Sequence, residues 1–193
     1  MHQSVTKRAE KVQDGPNGMP HLAGPAAHIR QVMAASFVDG LDHIVEIGGH
    51  LSPISAYLHH VPKSFLCIDP KAEPLEADRL NGRPCRVRHV ARKFQDVDIE
   101  MAPGSYGLVF VGYSLKPFGS LDPLGEKLFS LIDNSALTVL EYPCNLERAT
   151  SQIEQLVLRP GLETVATINF TIKDGFFETT EYGERHLVVL KPV

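Results

Sequence analysis

Beyond an opening stretch of polar residues broken by Gly15, Pro16, Gly18 and Pro20, apolar positions recur in two rhythms. Ile29, Val32, Met33 and Phe37 follow Pro25 at helical spacing, and proline suits the first turn of a helix. Residues 43–47 then read as a short apolar strand, bounded by Gly48 and Gly49. Ser52 and Pro53 suit the N-cap and first position of a second helix, whose apolar face is Ile54, Tyr57, Leu58 and Val61. A second strand at 65–68 is broken by Asp69-Pro70. The pattern next predicts a short helix around 75–80 and a third strand near 86–90. Residues 108–111 are wholly apolar, as in a strand buried on both faces of a parallel sheet. A helix at 124–132, a fifth strand at 137–140 ending in Glu141-Tyr142-Pro143, and a helix at 146–158 follow. The remainder changes rhythm: 163–172, 176–180 and 186–190 read as strands, with Asp174-Gly175 suited to a tight reversal.

Strands alternating with helices define an α/β fold, because right-handed crossovers lay such strands parallel and place helices on both faces. The all-strand remainder adds an antiparallel pair at one edge. The expected organisation is a flexible arm or cap at 1–24 and one domain at 25–193. Such sheets bind ligands in a crevice at the carboxyl ends of their strands. The positions to examine are therefore 46–52, Asp69, 91–96, 112–115 and 141–143.

Composition narrows the class. A chain of 193 residues, 43% hydrophobic and 22% charged, suits a single globular domain. A net charge of −4 argues against nucleic acid as a partner, and the basic run Arg83, Arg86, Arg88, Arg92 and Lys93 reads as a solvated strand edge and loop. Cys67, Cys85 and Cys144 have no CxxC spacing and leave one thiol over in any disulfide scheme, which fits a reducing cytoplasm. No run approaches the roughly 18 apolar residues of a membrane span, and the first twenty residues are too polar for a signal peptide. A soluble cytoplasmic protein is expected, with no membrane partner and an open oligomeric state.

The segment Ile44-Val45-Glu46-Ile47-Gly48-Gly49-His50-Leu51-Ser52 resembles the first motif of class I S-adenosylmethionine-dependent methyltransferases: a strand, an acidic residue, and a glycine-rich loop entering a helix. Asp69 stands 23 residues after Glu46, where that family keeps the carboxylate that holds the ribose hydroxyls. The antiparallel strand pair matches the family's last two strands. The resemblance covers residue 26 onward at the level of pattern. It implies a Rossmann-like methyltransferase fold, with S-adenosylmethionine as cofactor and Glu46, Gly48, Gly49, His50, Ser52, Asp69, Phe94, Asp96 and Gly112 as cofactor-binding candidates.

Departures from the family pattern shape the chemistry. His50 and Ser52 stand where the second and third glycines of the first motif fall. After the third strand, where the family often has an acidic residue near the adenine, the sequence reads Ala91-Arg92-Lys93-Phe94. Gly107 replaces a frequent aspartate. Val111-Gly112-Tyr113-Ser114 lacks both the acidic ligand of metal-dependent catechol-type enzymes and the Asn/Asp-Pro-Pro-aromatic of base-modifying ones, so no metal is expected.

His50, Tyr113, Glu141 and Tyr142 are the catalytic candidates. Each has a plainer alternative: a loop hydrogen-bonder for His50, rim packing for the tyrosines, and a salt bridge to an arginine for Glu141. His59-His60 read as solvated imidazoles and Cys67 as core. Methyl transfer needs mainly in-line positioning and desolvation, so a sparse acid–base set is compatible with it. The lack of an inserted substrate domain favours a small-molecule acceptor. Two alternatives stand beside methyl transfer: transfer or cyclisation of the aminocarboxypropyl arm with release of methylthioadenosine, and a non-catalytic binding relative.

Overall fold

A computed structural model describes residues 25–49, 53–111, 121–143, 159–171 and 184–193. Eight strands, β1 (His43–Ile47), β2 (Ser64–Ile68), β3 (Leu75–Leu80), β4 (Arg83–Val90), β5 (Tyr106–Val111), β6 (Leu137–Pro143), β7 (Leu162–Thr171) and β8 (Glu184–Pro192), form one sheet in the order β3-β4-β2-β1-β5-β6-β8-β7. β4, β2, β1, β5 and β6 are mutually parallel. β8 runs antiparallel to β6 and to β7, as the change of rhythm in the sequence predicts. The expected helix at 146–158, the Asp174-Gly175 reversal, the strand at 176–180 and the arm at 1–24 lie outside the described residues.

Two cores flank the sheet. On one face α1 (Pro25–Phe37) contributes Ala34 and Ala35, which pack with Val38 over Ile44, Phe65, Val109 and Val139. On the other, α2 (Leu121–Asp133) packs Leu128, Leu131 and Ile132 over Val45, Leu108 and Phe110. Tyr106 fastens α2 to β5 by donating its hydroxyl to the Leu131 carbonyl at 2.6 Å. Helices therefore cover both faces, and the short apolar strands are buried on both sides.

Two local expectations are corrected. Residues 75–80 are a strand, not a helix, because Asn81 (φ 50°) and Gly82 (φ 76°) form a two-residue reversal in the left-handed region. Asn-Gly between flanking apolar positions is a strong hairpin signal, and β3 pairs antiparallel with β4 across it. The helix expected from Ser52-Pro53 is a single 3-10 turn at Ile54–Tyr57. Leu58 is already extended (φ −69°, ψ 129°), and Pro62 keeps the residues before it extended on the way into β2.

The apolar positions of α1 do not all face the core. Ile29 and Val32 are 56% and 49% exposed, while Arg30 and Gln31 are 2% and 0%. The helix is turned so that charge, with small alanines beside it, meets the sheet. Gly107 lies under the turn that follows α1: a Cβ there would lie 2.8 Å from Leu41 Cδ1 and 3.0 Å from Val38 Cγ1.

Candidate cofactor site at the strand ends

The carboxyl ends of β1 and β2 lie side by side, with Ile47 opposite Ile68 in parallel register. Beyond Ile47 the backbone turns through Gly48, whose φ of +86° only glycine adopts without strain. The Gly48 amide donates to the Ile68 carbonyl at 2.9 Å, closing the loop onto the second strand. Gly49 then passes directly over Glu46. A Cβ at Gly49 would stand 2.7 Å from Glu46 Cδ and 2.9 Å from Cys67 Sγ. The Gly-Gly pair thus has two physical causes, a left-handed turn and a close crossing.

Glu46 itself is completely buried. Its Oε2 accepts the Ile54 amide at 2.9 Å, anchoring the 3-10 turn, while Oε1 has no hydrogen-bond partner among the described residues. Burial pushes its pKa up to about 8, opposed by the Ile54 amide and the Arg30 charge and assisted by the carboxylates of Asp69 and Glu141. Burial also raises the Cys67 thiol, which remains core as expected.

Asp69 directly follows β2 and is 7% exposed. Its Oδ1 accepts the Lys71 amide at 2.7 Å, and its own amide donates to the Val90 carbonyl at 3.1 Å. It is therefore a buried, oriented carboxylate at the junction of β2 and β4, and not a surface-loop residue. After β4, Phe94 is buried edge-on against Phe110, with ring centroids 5.8 Å apart, and Asp96 is exposed in the turn Phe94–Asp96.

Glu141 occupies the end of β6, on the α1 side of the sheet, at 2% exposure. Arg30 Nη1 donates to its Oε2 at 3.2 Å and Arg185 Nε to its Oε1 at 2.5 Å. This is the salt bridge that its plainer reading expects, made with two arginines. Tyr142 turns to the other face, where it packs in the core with its ring 5.2 Å from that of His186. His50, Ser52, Gly112 and Tyr113 lie outside the described residues. Among the described residues no three metal-binding side chains converge, and no helix is long and apolar enough to cross a membrane.

Arg30 and Arg185 escape sequence reasoning. Arg30 lies inside an apparently apolar helix and Arg185 in a charged tract, so neither stands out. Their one trace in the sequence is Glu141 itself, since a buried carboxylate requires cationic partners. His60 also does more than the solvated imidazole expected of it. Its Nδ1 lies 2.7 Å from Asp39 Oδ1 and its Nε2 2.8 Å from the Leu41 carbonyl, pinning the turn between α1 and β1.

Sheet order, the antiparallel insertion of β8 and the glycine turn beside an acidic strand end together define the fold of class I S-adenosylmethionine-dependent methyltransferases. Solved structures of that fold match along nearly the whole chain. The N-methyltransferase NodS from Bradyrhizobium japonicum WM9, in complex with S-adenosyl-L-homocysteine, superposes with a TM-score of 0.63 at 13% identity, covering 96% of this chain and 97% of its own. An rRNA methylase from Streptococcus thermophilus gives 0.53 at 11% identity, covering 90% and 99%. TrmK from M. capricolum, also with S-adenosyl-homocysteine, gives 0.54 at 9% identity, covering 89% and 70%. No protein-family model and no curated protein sequence matches the chain.

Proposed function

We propose that the chain is an S-adenosylmethionine-dependent methyltransferase. One observation carries the reading: on a sheet of methyltransferase order, the Gly48-Gly49 turn closes over Glu46 while Asp69 projects from the adjoining strand end. The residues present suit the cofactor. Glu46 Oε1 is a buried oxygen without a partner among the described residues, a place for a polar group of the ligand, and the loop above it carries no side chains at Gly48 or Gly49. Asp69 supplies a buried, oriented carboxylate, the group that suits ribose hydroxyls. When bound, the sulfonium supplies an activated methyl group. The chain's own part is to hold it, exclude water and align the acceptor. His50, Ser52, Gly112 and Tyr113 complete the candidate set.

Glu141 is a positioning residue in this reading, since both its oxygens are engaged by arginines. The expectation of a small-molecule acceptor rests on overall charge and the lack of an inserted domain. The rRNA methylase of the same fold and similar length supports an RNA acceptor equally well.

Calorimetric titration with S-adenosylmethionine and S-adenosylhomocysteine tests the cofactor. Asp69→Asn keeps an acceptor for Lys71 but removes the charge, and should weaken binding by roughly tenfold, about 1.4 kcal/mol. Unchanged affinity would remove Asp69 from the site. In turnover assays S-adenosylhomocysteine marks methyl transfer, methylthioadenosine marks cleavage of the other sulfonium bond, and no binding at all marks a non-catalytic relative.

A further inference from the structure

Charge is unevenly placed along this acidic chain. Residues 75–93, the β3–β4 hairpin and its exit, hold six basic and two acidic side chains, a net +4. The remaining residues hold thirteen basic and twenty-one acidic, a net −8. The six cations, Arg79, Arg83, Arg86, Arg88, Arg92 and Lys93, are all exposed. Among the described residues, Arg83, Arg86, Arg92 and Lys93 have no carboxylate within ion-pair distance. Arg88 meets Glu76 only loosely at 3.5 Å, and Arg79 donates to the Gly82 carbonyl.

Of the acidic residues that follow, Asp96 meets the Lys93 end of the strip. Asp96, Asp98 and Glu100 belong to a loop held toward β5: Lys127 of α2 donates to the Gln95 and Val97 carbonyls at 3.1 and 2.7 Å. The loop starts beside the last cation, since the Asp96 amide donates to the Lys93 carbonyl at 3.0 Å, so Asp96 offsets charge at that end of the strip.

The strip also has a direction. β4 carries it from the Asn81-Gly82 turn to the carboxyl edge of the sheet, about 26 Å at roughly 3.3 Å per residue. There the Val90 carbonyl accepts both the Arg92 amide (2.9 Å) and the Asp69 amide (3.1 Å), so the last cations stand one peptide from the candidate ribose carboxylate.

We infer that the β3–β4 hairpin is an RNA-binding surface that lays the phosphate backbone along β4 and brings RNA to the cofactor crevice. The argument is one of charge complementarity and length. A small anion engages one or two cations, whereas a strip of this length suits a polyanion. Five of the six cations are arginines, whose forked donors match phosphate oxygens. A membrane surface is disfavoured, because Leu75 is the one large apolar side chain exposed on the hairpin. RNA loops present unpaired bases to a crevice beside such a strip, whereas duplex DNA must first extrude them. The inference deepens the methyl-transfer reading by naming its acceptor class.

Its test is independent of the cofactor. Fluorescence anisotropy with a labelled RNA stem-loop, a DNA hairpin of the same sequence, and phosphatidylserine/phosphatidylcholine vesicles, without S-adenosylmethionine, measures the surface alone. RNA should bind, more tightly than DNA, and vesicles should not. Arg86→Ala/Arg88→Ala, checked for folding by circular dichroism, should weaken RNA binding roughly tenfold and lower the slope of log K against log salt by about 1.4–1.8. Lys191→Ala, at an exposed cation on β8, should change neither. Absence of RNA binding, tighter binding to DNA or vesicles, or a double variant with wild-type affinity and slope would each overturn the inference. Failure of the cofactor reading shows separately, as missing heat on titration with S-adenosylmethionine while RNA still binds.

Discussion

Arg30, two turns into the helix before the first strand, reaches across the sheet edge to Glu141 at the end of β6, with 3.2 Å between Nη1 and Oε2. Arg185 of β8 engages the other carboxylate oxygen. One buried carboxylate therefore ties together a helix and two antiparallel strands. Glu141→Gln should destabilise the fold by about 3–5 kcal/mol, because it removes the charge that two buried guanidiniums share. Denaturant titration reads this directly. A variant of wild-type stability that has lost turnover would instead return Glu141 to the role of catalytic base.

Glu46 makes stability fall with rising pH. Its pKa is about 8 in the folded chain against 4.5 in the unfolded one, so between those values the folded state holds more protons. Stability contributed by the protonated form is complete below 4.5 and is lost as pH climbs toward 8, by on the order of a few kcal/mol. Glu46→Gln, which cannot ionise, should flatten that decline. Parallel curves for wild type and variant from pH 5 to about 8.5 would show that Glu46 titrates near its ordinary value.

Gly49→Ala tests the crossing over the first strand. The new methyl would fall within 3 Å of Glu46 and Cys67, and both are fixed by burial. The cost should be about 1–3 kcal/mol, together with weaker S-adenosylmethionine binding. Adding Cys67→Ala removes one of the obstructing atoms and should restore part of the stability. An additive double variant would mean the loop simply lifts away.

Gly82→Ala addresses the hairpin. Its φ of +76° is strained for any residue with a Cβ, although the space around it is open. A loss of about 1 kcal/mol in thermal or chemical denaturation is expected, with the registers of the five parallel strands untouched. A stability gain would mean that the reversal relaxes to another turn type.

The parallel strands were legible because both their faces are apolar: Leu108-Val109-Phe110 can be little else. The glycine turn was legible because its chemistry is local. Long-range compensation was not. In α1 the apolar spacing does not tell which face is buried, since Ile29 and Val32 are exposed while Arg30 is held by Glu141, 111 residues away. At 75–80 the apolar spacing suited a helix, and the Asn81-Gly82 signal beside it was decisive. The candidate site divides the same way: Glu46 and Asp69 fall at adjacent strand ends, whereas the depth of their burial depends on elements that pack from elsewhere.

The order β6-β8-β7 carries a consequence for biosynthesis. β7 is made before β8, yet in the finished sheet it does not pair with β6, because β8 lies between them. While the ribosome is still adding β8, the nascent chain holds β6 and β7 with unpaired backbone edges, ready to join other chains. Neither the Glu141 clamp nor the sheet can close until Arg185 and the strand that carries it emerge. Folding of this domain therefore waits for β8, and a stall shortly before β8 should leave a chain that chaperones must shield.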